Sequence, residues 1–172
     1  MKKGRPITVL LADDHAGVRK NLGALLRADG HFTVVGEAKN GLEAVELAGL
    51  IAPDLILLDI SMPMLNGLQA ARQILAARAG AKVIILSAYD DEEYIARARA
   101  LGVAGFLSKQ LAAGALAKAI LAIVVGACPF KAAPGRRSPP NAAAGTARRA
   151  GPKARGEGPV GQIEPTVQLK II

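Results

Sequence analysis

The stretch Leu55-Ile56-Leu57-Leu58-Asp59-Ile60-Ser61-Met62-Pro63 decides how this chain is interpreted. Four consecutive apolar residues precede Asp59, and prolines stand at positions 53 and 63. Such a run is typical of a strand buried on both faces, and strands of that kind belong to parallel sheets covered by helices. Asp59 would then lie where the strand meets its loop, at the edge where open α/β sheets bind ligands. Taken alone, it could also be a solvated turn residue.

Similar strand patterns occur on both sides of this stretch, at residues 7–12, 32–38, 82–86 and 106–107. Segments with helical periodicity follow them, from about residues 16, 41, 67, 90 and 112. In the second of these helices the pattern predicts an inner face of Leu42, Val45, Ala48 and Ile51. Five strands alternating with five helices predict an α/β fold, a doubly wound parallel sheet of the flavodoxin type with strand order 2-1-3-4-5.

The last 46 residues differ in composition from the rest of the chain. The net charge of +8 is concentrated there, because residues 1–126 carry fourteen Lys/Arg against twelve Asp/Glu and residues 127–172 carry eight against two. Seven of the ten prolines also fall in residues 127–172. We therefore predict one folded domain over residues 1–126 and a disordered, basic Ala/Gly/Pro/Arg-rich tail over residues 127–172.

Three interpretations of the tail remain open. The first is a flexible arm that contacts nucleic-acid phosphates. The second is a disordered remnant, and the third is an out-of-frame translation of a lost output domain. Its composition favours a remnant, because the tail lacks interleaved aromatic residues and any recognisable fold.

Cysteine and hydropathy patterns point to a cytoplasmic protein. Cys128 is the single cysteine, which excludes an internal disulfide, and no Cys or Cys/His spacing of a metal site occurs. Neither His15 nor His31 is predicted to have a chemical role. The basic start is not expected to be a signal peptide, and the apolar run 111–127 contains Lys118 and is too short for a membrane span.

Polar residues of chemical interest stand at the ends of four strands. Asp13 and Asp14 follow the first strand, Asp59 ends the third, Ser87 follows the fourth, and Lys109 follows the fifth. In the predicted strand order the first and third strands are neighbours at the point where the winding reverses, so the three carboxylates share one crevice. The fourth and fifth strands continue outward from the third, which brings Ser87 and Lys109 toward the same place.

This group of residues predicts phosphate chemistry. Three carboxylates held together repel one another unless a cation or proton is present. Mg²⁺ suits such a site, since it prefers one or two carboxylates together with a phosphate and waters. Lys109 would supply a second positive centre and the Ser87 hydroxyl a hydrogen bond to a phosphoryl oxygen. Asp59 remains as the attacking group, because carboxylates are known phosphoryl acceptors.

The motifs at these strand ends resemble the receiver domain of bacterial two-component response regulators. The resemblance covers residues 7 to about 125, with every motif in order. The residues within the motifs are most similar to those of the NarL/FixJ-like branch. The resemblance rests on Asp13-Asp14-His15, Asp59-Ile60-Ser61-Met62-Pro63 with Gly67, Leu86-Ser87-Ala88-Tyr89, and Gly105-Phe106-Leu107-Ser108-Lys109.

The resemblance implies that Asp59 takes a phosphoryl group from a phosphohistidine of a sensor histidine kinase. Asp14 and Asp59 would ligate Mg²⁺ together with the backbone carbonyl of Ser61, and Asp13 would act through water. Such a domain signals rather than acting as an enzyme, although it assists its own phosphorylation and dephosphorylation.

The resemblance also implies a switch. Ser87 and Phe106 are similar to the hydroxyl and aromatic pair that transmits phosphorylation to the surface of the fourth helix, fifth strand and fifth helix. Whether that surface forms a homodimer is left open. Phe106 replaces a more usual tyrosine, and Gln110 stands after Lys109 where many receivers have proline, which predicts a looser loop around the lysine.

Two other functions compete with a receiver. Phosphatases of the haloacid dehalogenase type also use an aspartate nucleophile with Mg²⁺, but they carry Asp-x-Asp, whereas Asp59 is followed at that spacing by Ser61. A DNA-binding transcriptional regulator is the other alternative. Relatives of this branch usually carry a helix-turn-helix domain after the receiver, and no pattern after Gly126 predicts one.

Overall fold

The computed structural model of the protein describes residues 5–88 and 92–127. Five strands and five helices alternate along this part of the chain, as the sequence predicted. The strands are β1 (Ile7–Ala12), β2 (Phe32–Ala38), β3 (Leu55–Asp59), β4 (Lys82–Ser87) and β5 (Gly105–Ser108). The helices are α1 (Ala16–Asp29), α2 (Gly41–Ile51), α3 (Gly67–Ala77), α4 (Glu92–Ala100) and α5 (Ala113–Val124). The predicted disordered tail lies, except for Ala127, outside the described residues.

All five strands are parallel and form one sheet in the order β2-β1-β3-β4-β5. The predicted fold class and strand order are therefore confirmed. β3 is the central strand, between β1 and β4. The carboxyl ends of β1 and β3 are adjacent, because Ala12 pairs with Leu58 across them. This is the crevice in which the sequence placed the acidic residues.

The four apolar residues of β3 serve both faces of the sheet. Leu55 and Leu57 belong to the cluster that packs under α1 and α5, whereas Ile56 and Leu58 belong to the cluster under α2, α3 and α4. All four are buried. Side chains alternate between the faces of a strand, so a sheet covered on both sides requires an unbroken apolar run.

The predicted inner face of α2 was partly wrong. Leu42 is 46% exposed and Ile51 is 37% exposed, while Ala44 and Ala48 are buried. A Cβ atom on Gly41 would overlap the main-chain carbonyl of Leu65. α2 therefore lies so close to its neighbours that only small residues fit at the contact, and hydrophobicity alone does not identify such positions.

A polar cluster ties the start of the chain to the amino end of β3. The Asp54 carboxylate accepts hydrogen bonds from the backbone and hydroxyl of Thr8, at 2.9 and 2.7 Å, and from two nitrogens of Arg5. The backbone N–H of Asp54 donates in return to the Thr8 hydroxyl at 2.9 Å. The hydrogen bond from the Thr8 backbone is the main cause that lowers the pKa of Asp54.

The apolar segment that follows β5 is a helix of modest length. α5 has 12 residues, and its buried side includes Leu116 and Ile120, which pack with the core. Among the described residues, no helix is long and apolar enough to cross a membrane.

Candidate functional site

Asp13 follows β1 and is the most constrained acidic residue of the site. It is 1% exposed, and its backbone N–H donates to the carbonyl of Ala38 at 3.1 Å. One carboxylate oxygen accepts the backbone N–H of His15 at 2.9 Å, and the other accepts a hydrogen bond from Lys109 Nζ at 2.5 Å. Arg19 donates to its carbonyl oxygen at 2.6 Å. Backbone and side chain are therefore both held in place.

Asp14 is the more accessible of the two neighbouring acids. Its carboxylate Oδ1 lies 2.6 Å from Nδ1 of His15, the residue that precedes α1 as its N-cap. The same imidazole nitrogen is 3.7 Å from Asp13 Oδ1. No chemical role is predicted for His15 from the sequence, which has no Cys or second His near it, whereas the structure places it beside both carboxylates.

Asp59 is the last residue of β3 and is 4% exposed. Its Oδ1 lies 2.8 Å from Lys109 Nζ. Loss of solvation on burial raises the pKa of Asp59 and outweighs the opposing hydrogen bond and charge of Lys109, while the charges of Asp13 and Asp14 raise it further. The charged form of this carboxylate is thus poorly stabilised by its surroundings.

Lys109 bridges the two buried carboxylates from the end of β5. Burial lowers its pKa, but the hydrogen bonds and charges of Asp13 and Asp59 more than offset burial, so the pKa of Lys109 is raised. Its backbone N–H donates to the carbonyl of Ser87 at 2.7 Å, which ties the loop to β4. The raised pKa keeps this lysine charged at neutral pH.

Gln110 secures the same loop. Its backbone N–H donates to the Ser108 hydroxyl at 3.2 Å, and its side-chain amide donates to the carbonyl of Ala88 at 3.1 Å. A proline has no N–H and no side-chain amide, so it could form neither hydrogen bond. The sequence predicted a looser loop from the missing proline; the structure shows two hydrogen bonds that bind this loop to β5 and to the end of β4.

The loop between β3 and α3 is shaped around Asp59. Gly67, the first residue of α3, donates its N–H to the carbonyl of Ile60 at 3.0 Å, and a Cβ atom there would overlap the main-chain carbonyl of Asp59. Met62 donates to the same carbonyl of Ile60 at 3.1 Å, which makes a tight turn centred on the exposed Ser61. The turn places Ser61, which follows Asp59 by two residues, at the surface.

Ser87 and Phe106 occupy adjacent strands. Asp59 pairs with Leu86 across the sheet, so Ser87, buried at the end of β4, lies one step beyond Asp59. Phe106 pairs with Ile85 and is 1% exposed, within the apolar cluster under α2, α3 and α4. The two proposed switch residues are thus close in register, with Phe106 packed inside the core.

The donor set fits a divalent cation. Asp13, Asp14 and His15 can each offer one ligand atom with all of these atoms within 4.8 Å of one another. Lys109 pairs with Asp13 and Asp59, and Asp14 adds a third carboxylate whose charge acts on Asp59, so among the described carboxylates of the site negative charge exceeds the one ammonium that pairs with them. Oxygen donors and excess negative charge suit Mg²⁺. Both oxygens of Asp13 already accept hydrogen bonds, which favours its contact with an ion through water.

Comparison with known proteins gives one family. Residues 9–121 match the model of the response regulator receiver domain. The transcriptional regulatory protein DegU of Brevibacillus brevis is 36% identical over 120 residues, which are 70% of this chain and 51% of that protein. The nitrate/nitrite response regulator NarL of Escherichia coli K12 is 37% identical over 120 residues, 70% of this chain and 56% of that protein. The chain thus spans about half the length of these relatives.

Solved structures agree with the sequence comparison. The signal receiver domain of the putative response regulator NarL from Mycobacterium tuberculosis superposes with a TM-score of 0.68 at 33% identity, covering 72% of this chain and 99% of that one. A CheX–CheY–BeF₃–Mg²⁺ complex from Borrelia burgdorferi gives a TM-score of 0.65 at 26% identity, covering 69% and 89%. The acidic crevice, the fold and these similarities together show that the chain belongs to the receiver domain family of two-component response regulators.

Proposed function

We propose that Asp59 is the residue of this receiver domain that accepts the phosphoryl group. Phosphorylation on an aspartate is implied by the family. The observation that carries the assignment is that Asp59 alone ends the central strand, is buried, and lies 2.8 Å from the Lys109 ammonium. Burial raises its pKa. A carboxylate that is poorly solvated yet has a cation beside it is suited to act as a nucleophile.

Receiver domains bind Mg²⁺ at an acidic pocket. In this chain the ion would be held by Asp14, Asp59 and the backbone carbonyl of Ser61, with Asp13 acting through water. When bound, it supplies positive charge that offsets the charge of the phosphoryl oxygens. The residues themselves contribute the geometry, since Asp13 is held through its backbone and both carboxylate oxygens.

The transfer forms one bond and breaks one. A carboxylate oxygen of Asp59 attacks the phosphorus of a phosphohistidine, and the bond between phosphorus and the imidazole nitrogen breaks. The electron pair stays on that nitrogen, and a proton taken up from solvent there gives the neutral imidazole of the donor histidine. Lys109 and the Ser87 hydroxyl stabilise the phosphoryl oxygens during transfer. Water later hydrolyses the aspartyl phosphate, which releases inorganic phosphate and restores the Asp59 carboxylate; the domain signals during the time between the two steps.

The receiver domain family interacts with histidine kinases and phosphotransfer partners. For this chain we propose a sensor histidine kinase as the donor. Ser87 and Phe106 would then change position when Asp59 is modified and alter the surface of α4, β5 and α5. A homodimer through that surface is the finer form of this proposal. Gel filtration with and without phosphodonor tests it.

The acceptor assignment is tested with a small phosphodonor and a matched pair of aspartates. The full chain is incubated with acetyl phosphate and Mg²⁺, and the covalent phosphate is measured by intact mass. We expect the wild type to gain one phosphoryl group, Asp59→Asn to gain none, and Asp54→Asn, at the opposite end of β3, to be labelled like the wild type. Labelling of Asp59→Asn at wild-type stoichiometry would refute the assignment.

Control of transcription is a second candidate function. It is favoured by the relatives, which are transcriptional regulatory proteins, and by the basic composition of residues 127–172. The basic composition would support DNA binding through salt-dependent contacts between Lys or Arg side chains and DNA phosphates. Filter binding to duplex DNA at low salt tests it, and absence of any retention argues against it.

A further inference from the structure

We propose that Arg19 is a positioning residue for the metal-binding loop between β1 and α1. The inference rests on the proposed function of the acidic site, and it adds a residue that does not touch the phosphoryl group. Arg19 lies in the first turns of α1, at a position where a helix surface would ordinarily carry a solvated charge. Its side chain is only 17% exposed.

Within the loop, Arg19 contacts the backbone and not the carboxylate of Asp13 or Asp14. Its guanidinium donates a hydrogen bond of 2.6 Å to the carbonyl oxygen of Asp13. That carbonyl belongs to the peptide unit that joins Asp13 to Asp14. A peptide unit is planar, so holding its oxygen sets the orientation of the plane from which both acidic side chains depart.

The other side of the guanidinium is held by β2. Nε of Arg19 lies 3.5 Å from Oε2 of Glu37, the residue before the end of β2. Nε is buried and has no hydrogen-bond partner among the described residues. A buried donor without a hydrogen bond is unfavourable, so the observed orientation of the guanidinium has a free-energy cost at Nε. In the same orientation Nη1 donates to the carbonyl of Asp13.

Arg27 offers an internal comparison. It lies two turns further along α1 and approaches the same glutamate, with its Nη2 3.9 Å from Oε1 of Glu37. It has the same charge and the same partner, but no contact joins it to Asp13 in the described structure. Any effect of Arg19 that depends only on charge or on Glu37 should therefore be shared by Arg27. An effect that depends on the loop should be absent from Arg27.

The loop has few other restraints on this peptide unit. The Asp13 N–H is held by Ala38, its carboxylate is held by Lys109, and the hydrogen bond from the His15 N–H spans the same peptide unit, whereas Arg19 is the donor that holds the carbonyl oxygen itself. Without Arg19, rotation about the bonds flanking that peptide would displace Asp14 and lengthen the hydrogen bond from the His15 backbone. Both changes weaken the binding of a cation that needs Asp13 and Asp14 in one fixed arrangement.

The test compares Arg19→Met with Arg27→Met in the full chain. Mg²⁺ dissociation constants are measured by isothermal titration calorimetry without any phosphodonor. We expect the constant of Arg19→Met to rise about three- to tenfold, less than the roughly ten- to hundredfold loss typical for direct partners of metal ligands, and that of Arg27→Met to stay within about 1.5-fold. Arg19→Lys keeps one charged donor and is expected to lie between the wild type and Arg19→Met.

A second measurement is made on the metal-free protein. The backbone N–H of His15 donates to Asp13 Oδ1, so its hydrogen exchange reports on the loop directly. We expect hydrogen exchange at the His15 N–H to be faster in Arg19→Met than in the wild type and unchanged in Arg27→Met. The exchange rates of the β3 amides should be unchanged in both variants. A general loss of stability would instead accelerate exchange throughout the sheet.

Wild-type Mg²⁺ affinity in both Arg19→Met and Arg19→Lys overturns the proposal, and so does an equal loss in Arg27→Met. If Arg19→Met does not fold, Arg19→Lys alone decides between the two outcomes, because a lysine has one nitrogen where Arg19 uses separate nitrogens for Asp13 and Glu37. Failure of the proposed function is distinguishable, since it would appear as labelling of Asp59→Asn, whereas these measurements involve no phosphoryl transfer.

Discussion

The two ends of β3 carry aspartates in opposite electrostatic situations. At the amino end, Asp54 accepts hydrogen bonds from Thr8 and Arg5, and its pKa is lowered. At the carboxyl end, Asp59 lies beside Lys109, yet burial and neighbouring acids raise its pKa. The aspartate immediately before β3 is therefore stabilised as an anion, whereas the aspartate that ends β3 is destabilised as an anion.

The opposite pKa shifts of Asp54 and Asp59 correspond to different proposed roles, one in stability and one in ligand binding. The contacts of Asp54 hold the start of the chain against the sheet and favour the folded state. The acidic residues around Asp59 repel one another, and under the proposed function a bound cation and a phosphoryl group would relieve that repulsion. A site whose charges are unfavourable in the free protein is one where binding of a ligand with complementary charge can lower the free energy most.

Removing the central cation should have the largest effect. Lys109→Met leaves Asp13 and Asp59 buried and facing each other without the ammonium between them. We expect a loss of about 2–4 kcal/mol in the free energy of unfolding at neutral pH, measured by urea denaturation. Arg5→Met is the matched control at the amino end, and its loss should stay below about 1 kcal/mol because Arg5 is largely exposed.

A double substitution sharpens this result. In Lys109→Met/Asp59→Asn one of the two facing charges is gone, so part of the lost stability should return. A double variant as unstable as Lys109→Met alone would show that packing of the lysine stem, not charge balance, explains the effect.

Glycines on the two ends of the sheet should respond differently to a methyl group. A Cβ on Gly67 would overlap the carbonyl of Asp59, whereas a Cβ on Gly80, in the loop before β4, meets no atom within 4 Å. We expect Gly67→Ala to cost about 1–3 kcal/mol and to slow phosphorylation by acetyl phosphate. Gly80→Ala should change stability by less than about 0.5 kcal/mol and leave phosphorylation unchanged.

Removing the amino-end carboxylate should have a smaller effect. Asp54→Asn keeps the shape but loses the charge that accepts hydrogen bonds from Thr8 and Arg5. We expect a loss of about 1 kcal/mol, because the group is partly exposed to solvent. Asp59→Asn should change stability in the opposite direction. Thermal unfolding of the two variants beside the wild type measures both signs, and a stabilised Asp54→Asn would contradict the comparison.

The smallest predicted effect is the pH dependence, and its sign differs between the two ends. The folded-state pKa of Asp59 is raised above 3.8, so its contribution to stability is present below that value and is lost as pH rises through the folded pKa. The folded-state pKa of Asp54 is lowered, so its contribution is present above 3.8 and is lost as pH falls through the folded pKa.

These signs are measured against the neutral variants. The stability of Asp59→Asn relative to the wild type should increase from about pH 4 to pH 7, and that of Asp54→Asn should decrease from about pH 2 to pH 4. Melting temperatures across this range, taken without divalent ions, provide the data. Parallel curves for the wild type and Asp59→Asn would mean that burial does not raise the pKa of Asp59.

Much of the site followed from position along the strands. Asp13, Asp59 and Lys109 were predicted to meet because the carboxyl ends of adjacent parallel strands lie at one edge, and the structure brings them together. Arg19 and Gln110 were not assigned these contacts. The sequence contains no signal for a side chain that binds a main-chain carbonyl, since any donor near that carbonyl in space would serve.

The sequence alone determined the alternation of strands and helices, the order of the sheet and the edge at which the acids lie, because side-chain periodicity and the connectivity of parallel strands are local and regular. Only the tertiary structure decided which face of α2 is buried, that Lys109 bridges two carboxylates, and that Asp54 and Asp59 have opposite pKa shifts. Those properties depend on distances between distant segments of the chain and on how much water each group loses, and neither quantity is written in residue type.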